Sequence, residues 1–237
     1  MAVNALNRMN GHMNVETHDY LAPGDFIDSG QAAIQAFARD RAGVGEDRQR
    51  AVRLYYAVRD EIRYDPYTFS LDPVHLRASA TLAAGRGYCV PKACLLAACA
   101  RAAGIPARIG LADVKNHLAS ERLLRLMQTD IFYHHGYTEL WLGGRWVKAT
   151  PAFNIELCER FGVKALEFDG REDALMHEFD TAGRRHMQYL ADHGPRADLP
   201  LAELEAVYRK HYPRLLAAPD ELRGDMGVEI EREKAQS

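Results

Sequence analysis

The strongest constraint on the fold of this 237-residue chain is the segment 90–103, whose only charges are one lysine and one arginine. A helix that is apolar around its whole circumference must be buried inside a domain. Pro91 fits the first turn of such a helix, where its missing N–H is not needed, and Gly104 fits its left-handed end. The segment therefore predicts a central buried helix and places Cys89 at the N-terminus of that helix.

Hydrophobic periodicity predicts the elements around this helix. Further helices are expected at 31–40, 47–62, 79–84, 118–128 and 200–212, and strands at 107–112, 131–142 and 145–150, with short strands at 165–169 and 175–179. Gly143-Gly144 between two strands predicts a two-residue hairpin with Glu139 facing Lys148. Residues 192–195 are interpreted as a turn. This order predicts an α+β fold with an antiparallel sheet.

The chain is expected to form one main domain. Residues 1–25 are predicted to be a loose N-terminal segment, and 26–215 a single domain with a core at 47–154 and an extension at 155–215. The charged residues 216–237 are predicted to form an exposed or disordered tail, because they contain few apolar side chains.

Composition excludes several functions. The net charge of −3 gives no electrostatic basis for binding nucleic acid, and no apolar run is long enough to span a bilayer. The start of the chain lacks the features of a signal peptide, which predicts a cytoplasmic protein. The four cysteines have no metal-binding spacing, so neither disulfides nor a metal site is expected, and no cofactor is predicted.

Cys89 has the features of a nucleophile. A thiol reacts as its thiolate, and a helix N-terminus stabilises that anion through its dipole and free N–H groups, which predicts a lowered pKa. Arg86 adds positive charge nearby, and the backbone N–H of Cys89 is a candidate donor to an oxyanion. Cys94 and Cys99, which lie within the apolar segment, are expected to be buried structural residues.

A thiol nucleophile needs an acid–base partner, usually histidine. The chain has ten histidines, and the hairpin selects among them. Because side chains alternate along a strand, His135 shares a face with Lys148 and Thr150 of the partner strand and lies diagonally from Thr150. His134 points to the opposite face, so a metal ion shared by the two histidines is not expected. A strand histidine satisfied by its neighbours is the alternative for His135.

Four short runs carry a family resemblance: GYC at 87–89, RAAGIPAR at 101–108, HGYTEL at 135–140 and GRWV at 144–147. The first two resemble the nucleophile segment of the transglutaminase-like superfamily, and the last two resemble its histidine segment. The similarity covers roughly residues 47–154. It implies a papain-like fold and acyl transfer through a thioester, with Cys89 as nucleophile and His135 as general base and then acid.

The third catalytic position departs from that family. The resemblance implies an aspartate immediately before a proline, and here Thr150 precedes Pro151. The Thr150 hydroxyl could accept the His135 N–H, but it cannot offset an imidazolium charge as a carboxylate would. Asn154 is the second candidate, because an amide oxygen serves this role in papain-like enzymes.

These features predict a cysteine-dependent peptidase, amidase or transamidase acting on a peptide or protein. Hydrolysis is preferred, because no binding site for an amine acceptor is evident. The alternative is a catalytically weak or inactive binding module, which Thr150 favours. A Cys/His metal hydrolase is a third interpretation, and the absence of a ligand cluster in the sequence weighs against it.

Overall fold

A computed structural model describes residues 15–116, 119–175 and 187–236. The helices are α1 (Val15–His18), α2 (Ala32–Ala42), α3 (Asp47–Glu61), α4 (Ala78–Ala84), α5 (Cys89–Ala102), α6 (Glu121–Met127), α7 (Ile155–Phe161), α8 (Leu201–His211), α9 (Pro213–Ala217) and α10 (Met226–Ala235). The strands are β1 (Arg63–Tyr64), β2 (Arg86–Gly87), β3 (Ala107–Asn116), β4 (Ile131–Leu142), β5 (Arg145–Ala149) and β6 (Met187–Arg196).

Helix α5 lies at the centre, as predicted. Every residue from Cys89 to Arg101 is buried, and the helix packs between α2, α3 and α4 on one side and β3 and β4 on the other. Gly104 has φ +78°, the left-handed conformation expected just after a helix. The side chain of Arg101 donates to the carbonyls of Ala22, Ala107 and Ala197, which ties three distant segments to this helix.

The main sheet has four strands in the order β5-β4-β3-β6, with neighbours antiparallel. The hairpin prediction is confirmed: Glu139 pairs with Lys148, and Gly143 and Gly144 have φ +60° and +85°. Positive φ at both central residues is what the tight turn of a hairpin requires. The combination of helices with an antiparallel sheet confirms the α+β prediction.

A second, two-stranded parallel sheet pairs β1 with β2. Its strands lie just after α3 and just before α5, so it fixes the chain that leads into Cys89. Within the parts of the chain that the structure describes, no helix has the length and apolar character needed to cross a bilayer.

The prediction of a turn at 192–195 is wrong, because these residues belong to β6. Strand β6 is an edge strand, where the proline at 195 costs no ladder hydrogen bond. The strand predicted at 165–169 is not formed. The one predicted at 175–179 falls almost wholly outside the described residues, as does residue 118, the first residue of the helix predicted at 118–128.

The expectation for the C-terminal segment is also corrected. Helix α10 buries Met226 and Ile230 and packs against α7, and Asp225 caps its first turn. Two apolar residues four positions apart are enough to give this charged segment one buried stripe.

At the other end of the chain, residues 1–14 are outside the described part, but Tyr20 packs edge-on against Trp146. The three-part division of the chain stays a prediction.

Candidate active site

Cys89 is the first residue of α5 and is 5% exposed. It lies in a cavity of about 40 Å³ that is lined mainly by aromatic and aliphatic side chains. The lining residues are Tyr64, Pro66, Phe69, Tyr88, Cys89, Leu123, Met127, Phe132, Tyr133, His135, Tyr208, Tyr212 and Leu215. The space is enough for only a few water molecules. The sulfur therefore faces a small and largely apolar pocket.

His135 lies on β4 and lines the same cavity. The close approach of β4 to α5 depends on the next residue, Gly136, because a Cβ there would lie 2.7 Å from the Cα of Val90. Two residues further along, the Thr138 hydroxyl donates to the carbonyl of Ala93 at 2.9 Å. These two contacts hold β4 against the first turn of α5, so the fold brings the predicted thiol and imidazole to one site.

Burial determines the protonation of both groups. It raises the pKa of the Cys89 thiol to about 11, against the lowering effect of the backbone N–H groups of Gly136, Val90 and Cys89. Burial lowers the pKa of His135 to about 4. The expectation of a lowered thiol pKa is therefore corrected: the surrounding aromatic side chains remove water from the sulfur, and this desolvation outweighs the helix N-terminus. Near neutral pH the pair consists of a thiol and a neutral imidazole.

Thr150 lies close to His135 without a hydrogen bond. Both line a second cavity of about 10 Å³, and the Thr150 hydroxyl is buried with no partner. Its backbone is held on both sides, since its N–H donates to the carbonyl of Ala174 and its carbonyl accepts from the Tyr55 hydroxyl. The residue at the third catalytic position is thus fixed, and its hydroxyl is free to accept one hydrogen bond.

Asn154 is placed elsewhere. Its side-chain oxygen accepts the backbone N–H of Tyr64 at 3.1 Å, and it lines a different cavity with Arg63 and Asp225. The structure therefore does not bring Asn154 to the cavities that His135 lines. Its position ties β1 to the start of α7.

Sequence reasoning missed the tyrosines around the sulfur. Tyr64, Tyr88, Tyr208 and Tyr212 all line the Cys89 cavity, and the Tyr88 hydroxyl is buried close to Tyr208. The sequence alone could have indicated Tyr88 as a neighbour of the sulfur, because it directly precedes Cys89. Tyr208 and Tyr212 come from α8 and the residue after it, far along the chain, and no local pattern relates them to the cysteine.

Part of the chain matches a known protein family. Residues 35–151 match the family model of the transglutaminase-like superfamily, and through this segment the chain belongs to that superfamily. Membership supports a cysteine-dependent enzyme at the level of the superfamily and accounts for the papain-like α+β fold.

One solved structure is similar over most of the chain. It is a "putative cysteine protease" from Cytophaga hutchinsonii, with a TM-score of 0.46 and 17% sequence identity, covering 78% of this chain. The chain spans 55% of the length of that protein. No curated protein matches the chain.

Proposed function

We propose that the chain is a cysteine peptidase or amidase that forms a thioester on Cys89. The observation that carries this proposal is the shared cavity, which is lined both by the first residue of a buried helix and by a strand histidine. A nucleophile and an acid–base group in one water-poor pocket are the minimum required for acyl transfer. The substrate class proposed is a peptide or protein amide.

The chemistry follows from the neutral state of the pair. As the sulfur attacks the substrate carbonyl carbon, His135 takes the thiol proton, and the carbonyl oxygen becomes an oxyanion. The first N–H groups of α5, at Cys89 and Val90, have no partner within the helix and are available to that oxyanion. The imidazolium then protonates the leaving amine as the C–N bond breaks. Water, deprotonated by His135, attacks the thioester and releases a carboxylic acid and the free thiol.

The cavity must enlarge before a substrate can enter, because about 40 Å³ is too small for an acyl group. Tyr208, Tyr212 and Leu215 line the cavity, and they belong to α8, to the residue that joins it to α9, and to α9. We place the entrance there. The aromatic lining favours substrates with an apolar side chain next to the reacting carbonyl.

Thr150 is proposed to orient His135 by accepting its N–H during the reaction. The buried hydroxyl has an unused acceptor and shares a cavity with the imidazole. A hydroxyl fixes the orientation of the ring but stabilises the imidazolium less than a carboxylate would. Thr150→Ala should lower kcat about tenfold or more, and Thr150→Asp should retain or exceed the wild-type rate at neutral pH.

The decisive experiment traps the acyl-enzyme. The full chain is incubated with a library of short peptide amides carrying apolar residues, with hydroxylamine present in half of the reactions, and intact mass is measured after acid quench. The expected result is an acyl adduct on Cys89 and hydroxamate product. Cys89→Ser and His135→Ala should abolish both, whereas Cys99→Ala, a buried cysteine on the same helix, should keep them. Turnover that survives Cys89→Ser would disprove the proposal.

A binding module is the second candidate, favoured by the threonine at position 150 and by the small size of the cavity. It predicts that peptides bind with no mass adduct and no turnover in any variant. Equilibrium binding measured on the same library, alongside the adducts, separates the two functions.

A further inference from the structure

Three ligating side chains meet on the sheet, away from the cavity of Cys89. Asp113 lies on β3, His134 on β4 and His193 on β6, and these are adjacent strands. One oxygen of Asp113 lies 3.0 Å from Nε2 of His193 and 3.6 Å from Nδ1 of His134. The three ligand atoms all lie within 4.8 Å of one another.

The two imidazole nitrogens have no well-aligned hydrogen bond. Nδ1 of His134 and Nε2 of His193 are buried atoms whose close polar neighbour is the carboxylate of Asp113, and the two histidines lower the pKa of that carboxyl group. His134 itself is 3% exposed. Buried polar atoms that lack a well-aligned hydrogen bond are costly, and two of them beside one carboxylate are a reason to expect a ligand there.

The two separations from Asp113 fit a metal ion. Bonds of about 2.0 to 2.1 Å in a tetrahedral arrangement place ligand atoms about 3.3 Å apart, between the two distances to Asp113. Metal-bound histidines usually donate their other N–H to a carboxylate. Nε2 of His134 lies 3.2 Å from an oxygen of Glu203 on α8, which is the contact required. Asp113 and His193 have side chains 16% and 31% exposed, so an ion can reach the site from solvent.

The local backbone is shaped around this cluster. His134 has φ +54°, an uncommon conformation for a residue with a side chain, and its backbone N–H donates to Asp113 at 3.0 Å. The pairing of β3 with β4 shifts between Ala112 and Val114. This bulge turns the His134 side chain toward β6.

We propose that Asp113, His134 and His193 bind one divalent transition-metal ion such as Zn²⁺, with water in the fourth position. The ion joins β4 to β6 across β3 and holds the bulge that precedes His135. This role is structural and is independent of the acyl transfer proposed above.

The test measures Zn²⁺ binding directly. All proteins carry Cys89→Ser, so that the thiol and His135 do not form a competing site, and Zn²⁺ is titrated against a chromophoric chelator. The expected result is one tight site per chain. His193→Ala should weaken it by about 100-fold or more, and Glu203→Gln by about tenfold. His75→Ala, which removes an exposed histidine far from the cluster, should change it less than about twofold.

Two further measurements guard against misfolded variants. Circular dichroism of the metal-free proteins checks that His193→Ala and Glu203→Gln fold like their parent. Co²⁺ in place of Zn²⁺ should give the visible absorption bands of a tetrahedral site, and these should disappear in His193→Ala. Equal Zn²⁺ affinity in His193→Ala and His75→Ala, or no tight site in the parent, would overturn the proposal.

Discussion

Lys92 offers a test of the desolvation around the nucleophile helix that needs no substrate. Its side chain is fully buried, one turn after Cys89, and its amine donates to the carbonyl of Arg59 at 3.0 Å and to that of Ile62. Both carbonyls lie at the C-terminal end of α3. Two acceptors match the two N–H donors of a neutral amine, and burial lowers the pKa of Lys92 to about 7.

The magnitude follows from linkage. The unfolded chain keeps the proton on Lys92 up to about pH 10.5, whereas the folded chain releases it above about pH 7. Unfolding therefore takes up a proton between these values, and stability rises with pH across this window. A shift from 10.5 to about 7 corresponds to about 5 kcal/mol in total. Of this total, the free energy of unfolding rises by about 2 kcal/mol between about pH 7.5 and about pH 9.

The perturbation is Lys92→Met, which keeps most of the side-chain volume and removes the titrating group. The free energy of unfolding from urea titrations is measured at several pH values for wild type, Lys92→Met and the control Lys164→Met, an exposed lysine. We expect the gain in stability between about pH 7.5 and about pH 9 to be smaller by about 2 kcal/mol in Lys92→Met than in the other two proteins.

The absolute stability of Lys92→Met is a poorer test than its pH dependence. Methionine removes the cost of burying a charge, but it also leaves two carbonyls without their donor, at about 1–3 kcal/mol each. These terms oppose each other, and only the cost of the unpaired carbonyls is independent of pH. Parallel pH profiles for wild type and Lys92→Met would refute the reasoning, because they would mean that Lys92 keeps its proton in the folded chain.

Three further predictions concern other contacts. Gly136→Ala places a methyl group 2.7 Å from the backbone of α5 and should destabilise the chain by about 1–3 kcal/mol. The control Gly30→Ala, with its nearest neighbour at 3.4 Å, should cost under about 0.5 kcal/mol. Equal urea midpoints for the two variants would contradict this. Alkylation of Cys89 by iodoacetamide should rise about tenfold per pH unit from about pH 7 to about pH 10, since burial raises its pKa to about 11; a plateau below about pH 8 would show a thiolate already formed. Asp198→Asn should lower the free energy of unfolding in urea by about 2–3 kcal/mol, because the Asp198 carboxylate accepts the backbone N–H groups of residues 25–27. The control is Asp220→Asn, at an exposed aspartate. Equal losses in the two variants would disprove this role of Asp198.

The features predicted correctly are those that local sequence specifies. Pro91 and Gly104 bound the central helix, and Gly143-Gly144 defines both the turn and the register of the hairpin. Each signal depends on backbone geometry within a few residues. The placement of Cys89 at a helix start and of His135 on the hairpin followed from these local signals.

Tertiary contacts explain the features that were not predicted. Strand β6 is half exposed at the sheet edge and has no continuous apolar alternation, so its glycine and proline at 194 and 195 resembled a turn. The direction of the thiol pKa depends on tyrosines from α8 and beyond, which no local pattern connects to Cys89. His134 comes close to His193 because of a bulge, and a prediction from the simple alternation of side chains along a strand does not include bulges.

The hydrogen bonds of Arg101 limit how far the chain can be shortened for expression. Its guanidinium needs carbonyls from Ala22 and Ala197, both outside the segment 35–151 that matches the superfamily. An excised fragment limited to that segment would leave a buried cation without two acceptors and would uncover the edge of β3 along its length, inviting aggregation. Expression fragments therefore have to begin before Tyr20 and continue past Asp198.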